Sequence, residues 1–135
     1  MLIVAVCSSG LSFADNLFLH GRYQVRKRCP IIPGLEGVGI ITATSRGVSP
    51  AQVCNIVGFG SLQNGGCAEE VLLPCLECVQ FPQAIHNYHV ITYSALGTNY
   101  TTAYFALVYR ASVPQWGGRE LLILGAAGGV GIAAI

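Results

Sequence analysis

The densest run of chemically suggestive residues is Gly125-Ala126-Ala127-Gly128-Gly129-Val130-Gly131, delivered by the apolar stretch "LLIL" at 121–124. Phosphates bind where backbone N–H groups are unobstructed, and a helix N-terminus adds a favourable dipole. Side chains at such a turn hold a diphosphate away, so Gly or Ala is required. Ala126-x-Gly128-x-x-Gly131 has the GxGxxG spacing with Ala in the first position. A P-loop is excluded, because no Lys-Ser/Thr pair follows the glycines. Tight packing of a helix on a strand selects the same small residues, so the run alone leaves both uses open. The residue that would read a ribose about 20 positions on lies past Ile135.

Two further clusters could carry chemistry. Cys75-Leu-Glu-Cys78 is a CxxC, but no second pair accompanies it, so a metal site and incidental cysteines both stand. Residues 22–28, "RYQVRKR", hold four positive side chains, either a solvated loop or a site for a phosphate-bearing ligand. The six cysteines, at 7, 29, 54, 67, 75 and 78, do not follow a credible secretory signal. "MLIVAVC" lacks a positive flank and breaks at Ser8-Ser9-Gly10. No apolar run approaches the ~20 residues needed to span a bilayer. Reduced thiols and a cytoplasmic location are therefore expected.

These clusters need a scaffold, and the composition supplies one. Of 135 residues, 53% are hydrophobic and only 10% charged, the reverse of a disordered chain. So little charge also suggests that some apolar surface is destined for a covering segment or partner. The net charge of +1 gives no footing for nucleic acid or an anionic membrane.

Along the chain, "LIVAVC" at 2–7 is a continuous apolar run of strand length. "SFADNLFLH" at 12–20 predicts a short helical or irregular segment closed by Gly21. Pro30, Pro33 and Gly34 punctuate a turn before a β-rich run over 37–44. "VCNIVGF" and "CAEEVLLP" predict two more strands around the turn signal "NGG" at 64–66. Short strands broken by Gly and Pro indicate a compact β-barrel-like unit up to about residue 82. Residues 91–112 place Ala, Tyr, Phe and Leu at helical intervals, interrupted at Gly97. "VPQWGGRE" at 113–120 predicts a loop, and 121–135 a strand, a turn and the start of a helix.

The blocks "GLSFADNLFLHGRY", "PIIPGLEGVGII", "GFGSLQNGGCAEEV", "GTNYTTAYFAL" and "LLILGAAGGVGIAAI" occur in one order. Together they resemble the quinone oxidoreductase (zeta-crystallin-like) branch of the medium-chain dehydrogenase/reductases, over nearly the whole chain. The resemblance implies a mainly β GroES-like barrel, α+β in class, followed by helices and the first βα unit of a Rossmann (α/β) domain. The implied boundaries are 1–90 for the GroES-like catalytic domain, 91–120 for interdomain helices and linker, and 121–135 for the Rossmann start. The family's first hairpin and most of its Rossmann domain are expected to be missing.

By the same resemblance, NADPH is the cofactor, and a small quinone or α,β-unsaturated carbonyl is reduced by hydride transfer. Ser12, Asp15 and Tyr23 would border substrate and nicotinamide, although relatives commonly carry Asn where Ser12 stands. Thr102 matches the threonine beside the nicotinamide, with Tyr100 close by. Ala126, Gly128, Gly129, Val130 and Gly131 match the diphosphate turn. Zinc-dependent relatives carry Cys and His where this chain has Ser12 and Leu35, and the four-cysteine zinc lobe is absent, so no metal is expected. The Asp–Arg pair of the family's Gly-Asp-Arg-Val is also lost, whether aligned on 53–56 or on 54–57.

Structural uses compete with these roles. Asp15 could cap a helix or a turn, Tyr23 and Tyr100 could be core aromatics, and Glu36 is expected to bond backbone N–H groups. The expected function is that of an NADPH-dependent quinone oxidoreductase present as a fragment inactive alone. The alternatives are a non-catalytic GroES-like module, paired as a homodimer or with a full-length relative, a decayed gene product, or an enoyl-thioester reductase fragment.

Overall fold

The N-terminal apolar run becomes β1 (Leu2–Gly10), which sits near the middle of a five-stranded antiparallel sheet. In this computed structural model, residues 1–48, 53–81, 87–113 and 120–135 are described. The other strands are β2 (Glu36–Thr44), β3 (Ile56–Gly60), β4 (Glu70–Leu73) and β5 (Cys78–Gln80), in the order β4-β1-β2-β3-β5. Register runs Leu2↔Thr44 to Gly10↔Glu36 between β1 and β2, with shifts at Ile3/Val4 and Val6/Ser8. Such shifts add local bend and twist to the paired strands.

Alternation explains which face is buried. Leu2 and Val4 on β1, Val57 and Phe59 on β3, and Val71 and Leu73 on β4 point to one side with Ile41 and form the core. Successive side chains on a strand face opposite ways, so this i, i+2 spacing collects them on one face. Val6, Val48 and Cys78 pack against the same cluster.

The helices are α1 (Phe13–Leu19), α2 (Asn87–Tyr93), α3 (Gly97–Tyr104) and α4 (Gly129–Ala134), with a π-helical turn over Phe105–Arg110. The short α1 begins at Ser12 and buries Asp15 and Phe18. Packing divides the chain into two units, Met1–Gly97 and Thr98–Ile135. Within the second, Tyr109 stacks on Phe105 and meets Tyr104 edge-on, with centroids 6.0 and 5.8 Å apart. No helix among the described residues is long and apolar enough to cross a membrane.

Three details differ from the sequence expectations. Residues 121–124 form no strand, because no neighbouring strand offers them a ladder among the described residues. A buried parallel strand exists only through its neighbours on both sides and both faces. The CxxC segment, for which no element was expected, forms a 3-10 turn (Cys75–Glu77) running into edge strand β5. The helical stretch starts earlier than 91, at Asn87, while the interruption expected at Gly97 is present, with α2 ending at Tyr93 and α3 opening at Gly97. Most of the 113–120 loop, and the change of character placed after Pro82, fall outside the described residues.

Candidate functional site

In the first unit, the candidate residues converge on the start of α1. Asp15 is 3% exposed, and both carboxylate oxygens are occupied. Oδ2 accepts from the Ser12 backbone N–H at 2.8 Å and from the Ser12 hydroxyl at 3.0 Å. The backbone contact is the reach-back half of a capping box, which satisfies a donor at the helix start. Oδ1 accepts from the Gly34 and Leu35 N–H groups at 2.9 and 3.0 Å. Asp15 therefore clamps α1 to the turn that feeds β2, and charge-assisted bonds of this kind are the strong ones.

Immediately after that turn, Glu36 is also 3% exposed. The backbone near its carboxylate is glycine. A Cβ on Gly10 would lie 3.0 Å from Glu36 Oε1, and one on Gly97 would lie 2.9 Å from Oε2. Side chains at either position would crowd the buried carboxylate. The Glu36 carbonyl accepts from the Ser9 hydroxyl at 2.8 Å. Ser94, just past the end of α2, bonds Ser8 through its hydroxyl at 2.9 Å and is itself buried.

Tyr23 packs edge-on against Phe18, with centroids 6.0 Å apart, so its ring is half-buried. Of the four cationic residues at 22–28, Lys27 alone folds back over the protein. Its Nζ lies 5.1 Å from the Phe18 ring centroid and donates to the Gln63 carbonyl. Burial pulls the Lys27 ammonium below the usual lysine range, and Glu77 partly offsets that effect. Beside it lies a cavity of about 220 Å³, with Ile31, Gln63, Asn64 and Glu70 in its lining. Arg22, Arg26 and Arg28 are exposed.

Neither Ser12 nor Leu35 offers a zinc ligand. Leu35 is apolar and buried, and the Ser12 hydroxyl is spent on Asp15. Among the described residues, no three His, Cys, Asp or Glu side chains converge.

The second unit holds the remaining candidates. Tyr100 lines an open groove of about 460 Å³ with Thr101, Tyr104, Leu107, Val108 and Ala133. Thr102 does not line this groove; its hydroxyl donates to the Thr98 carbonyl at 2.6 Å. At the glycine turn, Gly125 has φ +75° and accepts from the Gly128 N–H at 2.9 Å. A Cβ on Gly131 would stand 2.3 Å from the Gly125 oxygen, so only glycine fits. The first i→i−4 bond of α4 runs from Ile132 N–H to Gly128 O. The N–H groups of Gly129, Val130 and Gly131 consequently have no intrahelical acceptor. A diphosphate fits such a backbone: its donors are unspent and small residues surround them. Asn99 covers one side, since a Cβ on Gly129 would lie 2.6 Å from its Nδ2.

The structure thus brings Ser12 and Asp15 into direct contact and gathers Ala126 to Gly131 into one turn. Sequence reasoning missed the close approach of Gly10 and Gly97 to Glu36. The isolated glycine at position 97 was the available signal, since a glycine in a helical pattern often marks a close approach.

A family model described as "alcohol dehydrogenase GroES-like domain" matches residues 1–108. The quinone oxidoreductase-like protein 2 homolog of Nematostella vectensis is 33% identical over 98% of this chain and 35% of its own length. The human synaptic vesicle membrane protein VAT-1 homolog is 33% identical over 99% of the chain and 33% of its own length. A solved quinone oxidoreductase of Thermus thermophilus, studied also in complex with NADPH, superposes with a TM-score of 0.76 at 29% identity. That match covers 98% of this chain and 39% of the solved one. The chain spans about a third of the curated relatives it matches.

Proposed function

The chain belongs to the alcohol dehydrogenase GroES-like domain family, on the quinone oxidoreductase side of the medium-chain dehydrogenase/reductases, and from that premise we propose that it contributes the substrate-side domain and the diphosphate turn of an NADPH-dependent reductase of quinones or α,β-unsaturated carbonyls. The observation that carries the reading is the turn at Gly125–Gly131, where a left-handed glycine and a glycine with no room for a Cβ open a helix. When bound, NADPH supplies the hydride.

The residues of the chain hold and orient. Gly129, Val130 and Gly131 offer backbone N–H groups to the diphosphate, and Ala126 and Gly128 leave room for it. Tyr100 and Thr102 are assigned to the nicotinamide side, and Ser12 and Tyr23 to the substrate side. Asp15 is a positioning residue: with four donors on its two oxygens, it fixes where Ser12 stands. Catalysis of this kind rests on placing the cofactor's reactive atom and excluding water.

We expect the 135-residue polypeptide alone to show no NADPH oxidation with 1,4-quinones. Joining residues 1–135 to the remainder of the Thermus thermophilus enzyme is the sharper test, read by loss of NADPH absorbance. A chimera that folds and binds NADPH should turn over quinone; one that folds and binds but stays inert with both quinones and enones would overturn the proposal. A second reading, a non-catalytic module acting through contacts, draws on the exposed apolar side chains of the second unit, Leu122 and Leu124 among them. Light scattering on the eluted polypeptide distinguishes them, since a monomer at high concentration counts against the module.

A further inference from the structure

The CxxC at 75–78 has no part in the proposed reaction, and its geometry is distinctive. The Cys78 N–H bonds the Cys75 carbonyl, closing a one-turn 3-10 helix that begins after Pro74. An i→i+3 bond of this type keeps the two Cα atoms within about 7 Å. That range overlaps the roughly 4.4–6.8 Å over which a disulfide closes without backbone movement. Cys75 is exposed, whereas Cys78 is half-buried at the start of edge strand β5, opposite Phe59 and against the core. The Met1 amino group donates to Cys75 Sγ at 4.0 Å. All six cysteines are free thiols.

We propose that Cys75 and Cys78 form a thiol–disulfide exchange site that takes up two oxidising equivalents from small-molecule disulfides. Cys75, the accessible sulfur, attacks as its thiolate. A bond forms between Cys75 Sγ and one sulfur of the reagent, the reagent's S–S bond breaks, and the released thiolate takes the proton that Cys75 gave up. Cys78 then loses its proton and attacks Cys75 Sγ, breaking the mixed disulfide and releasing the second thiol. Two protein thiols are oxidised, one external disulfide is reduced, and both protons end on the departing thiols. Exchange of this kind depends on access and on the attacking thiolate.

The partition of roles follows from the surroundings. Burial, with Cys75 and Glu77 nearby, pushes the Cys78 thiol up to about 11, so it is the slower, resolving sulfur. The ring closes a turn leading directly into β5. Its redox state is therefore set at the edge of the sheet.

The test incubates the full polypeptide with oxidised glutathione under native conditions and follows it by intact mass and peptide mapping. The expected product has lost two hydrogen masses, carries no glutathione, and maps to a Cys75–Cys78 link. Cys78→Ser should instead accumulate one stable glutathione at Cys75, and Cys75→Ser should lose the link. The proposal is overturned if the wild-type chain retains stable adducts without closing. It is equally overturned if the link joins other cysteines, or if the Cys78→Ser adduct falls preferentially on Cys7, Cys29, Cys54 or Cys67. Mapping of the wild-type chain decides the matter even if a variant folds poorly.

Discussion

The Met1–Gly97 and Thr98–Ile135 units are built from similar apolar residues and treat them in opposite ways. In the first, Leu2, Val4, Phe59 and Leu73 are buried on one face of a sheet whose strands supply each other's ladders. In the second, Ala103 is the one buried residue among those described, while Leu122 and Leu124 are 84% and 86% exposed. Hydrophobicity does not make a core; adjacency does. The antiparallel strands of the first unit find their partners within it, whereas a strand of parallel type needs neighbours on both sides and both faces.

If that contrast is right, substitutions in the first unit should be costly and those in the second nearly silent. Phe59→Ala should produce the largest effect, about 4 kcal/mol off the denaturant-derived stability, because it removes a buried aromatic ring from the core cluster. Retention of the wild-type urea midpoint would contradict the packing described for β3. Asp15→Ala should follow at about 3 kcal/mol, since it orphans the Gly34 and Leu35 N–H groups in a buried site. Asp15→Asn, which keeps an acceptor oxygen, should recover part of that loss in the same melts.

A pH series probes the same unit more gently. The Cys78 thiol moves from its ordinary 9.0 up to about 11 on folding. Its proton is thus held more tightly in the folded state, and the associated stability is full below pH 9. Above that the unfolded chain releases the proton first, so stability should decline through pH 9 to 11. Comparing wild type with Cys78→Ala over that window isolates the effect; parallel curves would remove it. Smallest of all, Leu124→Lys should change stability by no more than about 0.5 kcal/mol, while lowering the aggregated fraction seen by light scattering. A large drop in stability would show that 121–124 are packed after all.

Several elements were visible in the residues alone. The apolar run at 2–7, the β-rich stretch at 37–44 and the strand-like runs "VCNIVGF" and "CAEEVLLP" marked four of the five strands among the described residues. Their signal is local: short apolar runs bounded by turn residues are written into consecutive positions. The fifth strand was not visible, because Cys78–Gln80 is three residues long and becomes a strand only by pairing with Val57–Phe59. Residues 121–124 show the converse, a strand-like composition that forms no strand without a partner.

The candidate site divides along the same line. Residue types and spacing were enough to mark the glycine turn, since Gly125, Gly128 and Gly131 are close in sequence and their steric demands are local. The resemblance of ordered blocks carried the family. Only tertiary structure decided what Asp15 does, because its clamp on Gly34 and Leu35 spans 19 and 20 residues. Only it placed Glu36 against Gly10 and Gly97, and only it left Tyr100 lining a groove while Thr102 turned back on its own helix. Local order follows from neighbouring side chains and backbone preference, but burial and hydrogen-bond partnership across the chain exist only once distant segments have met.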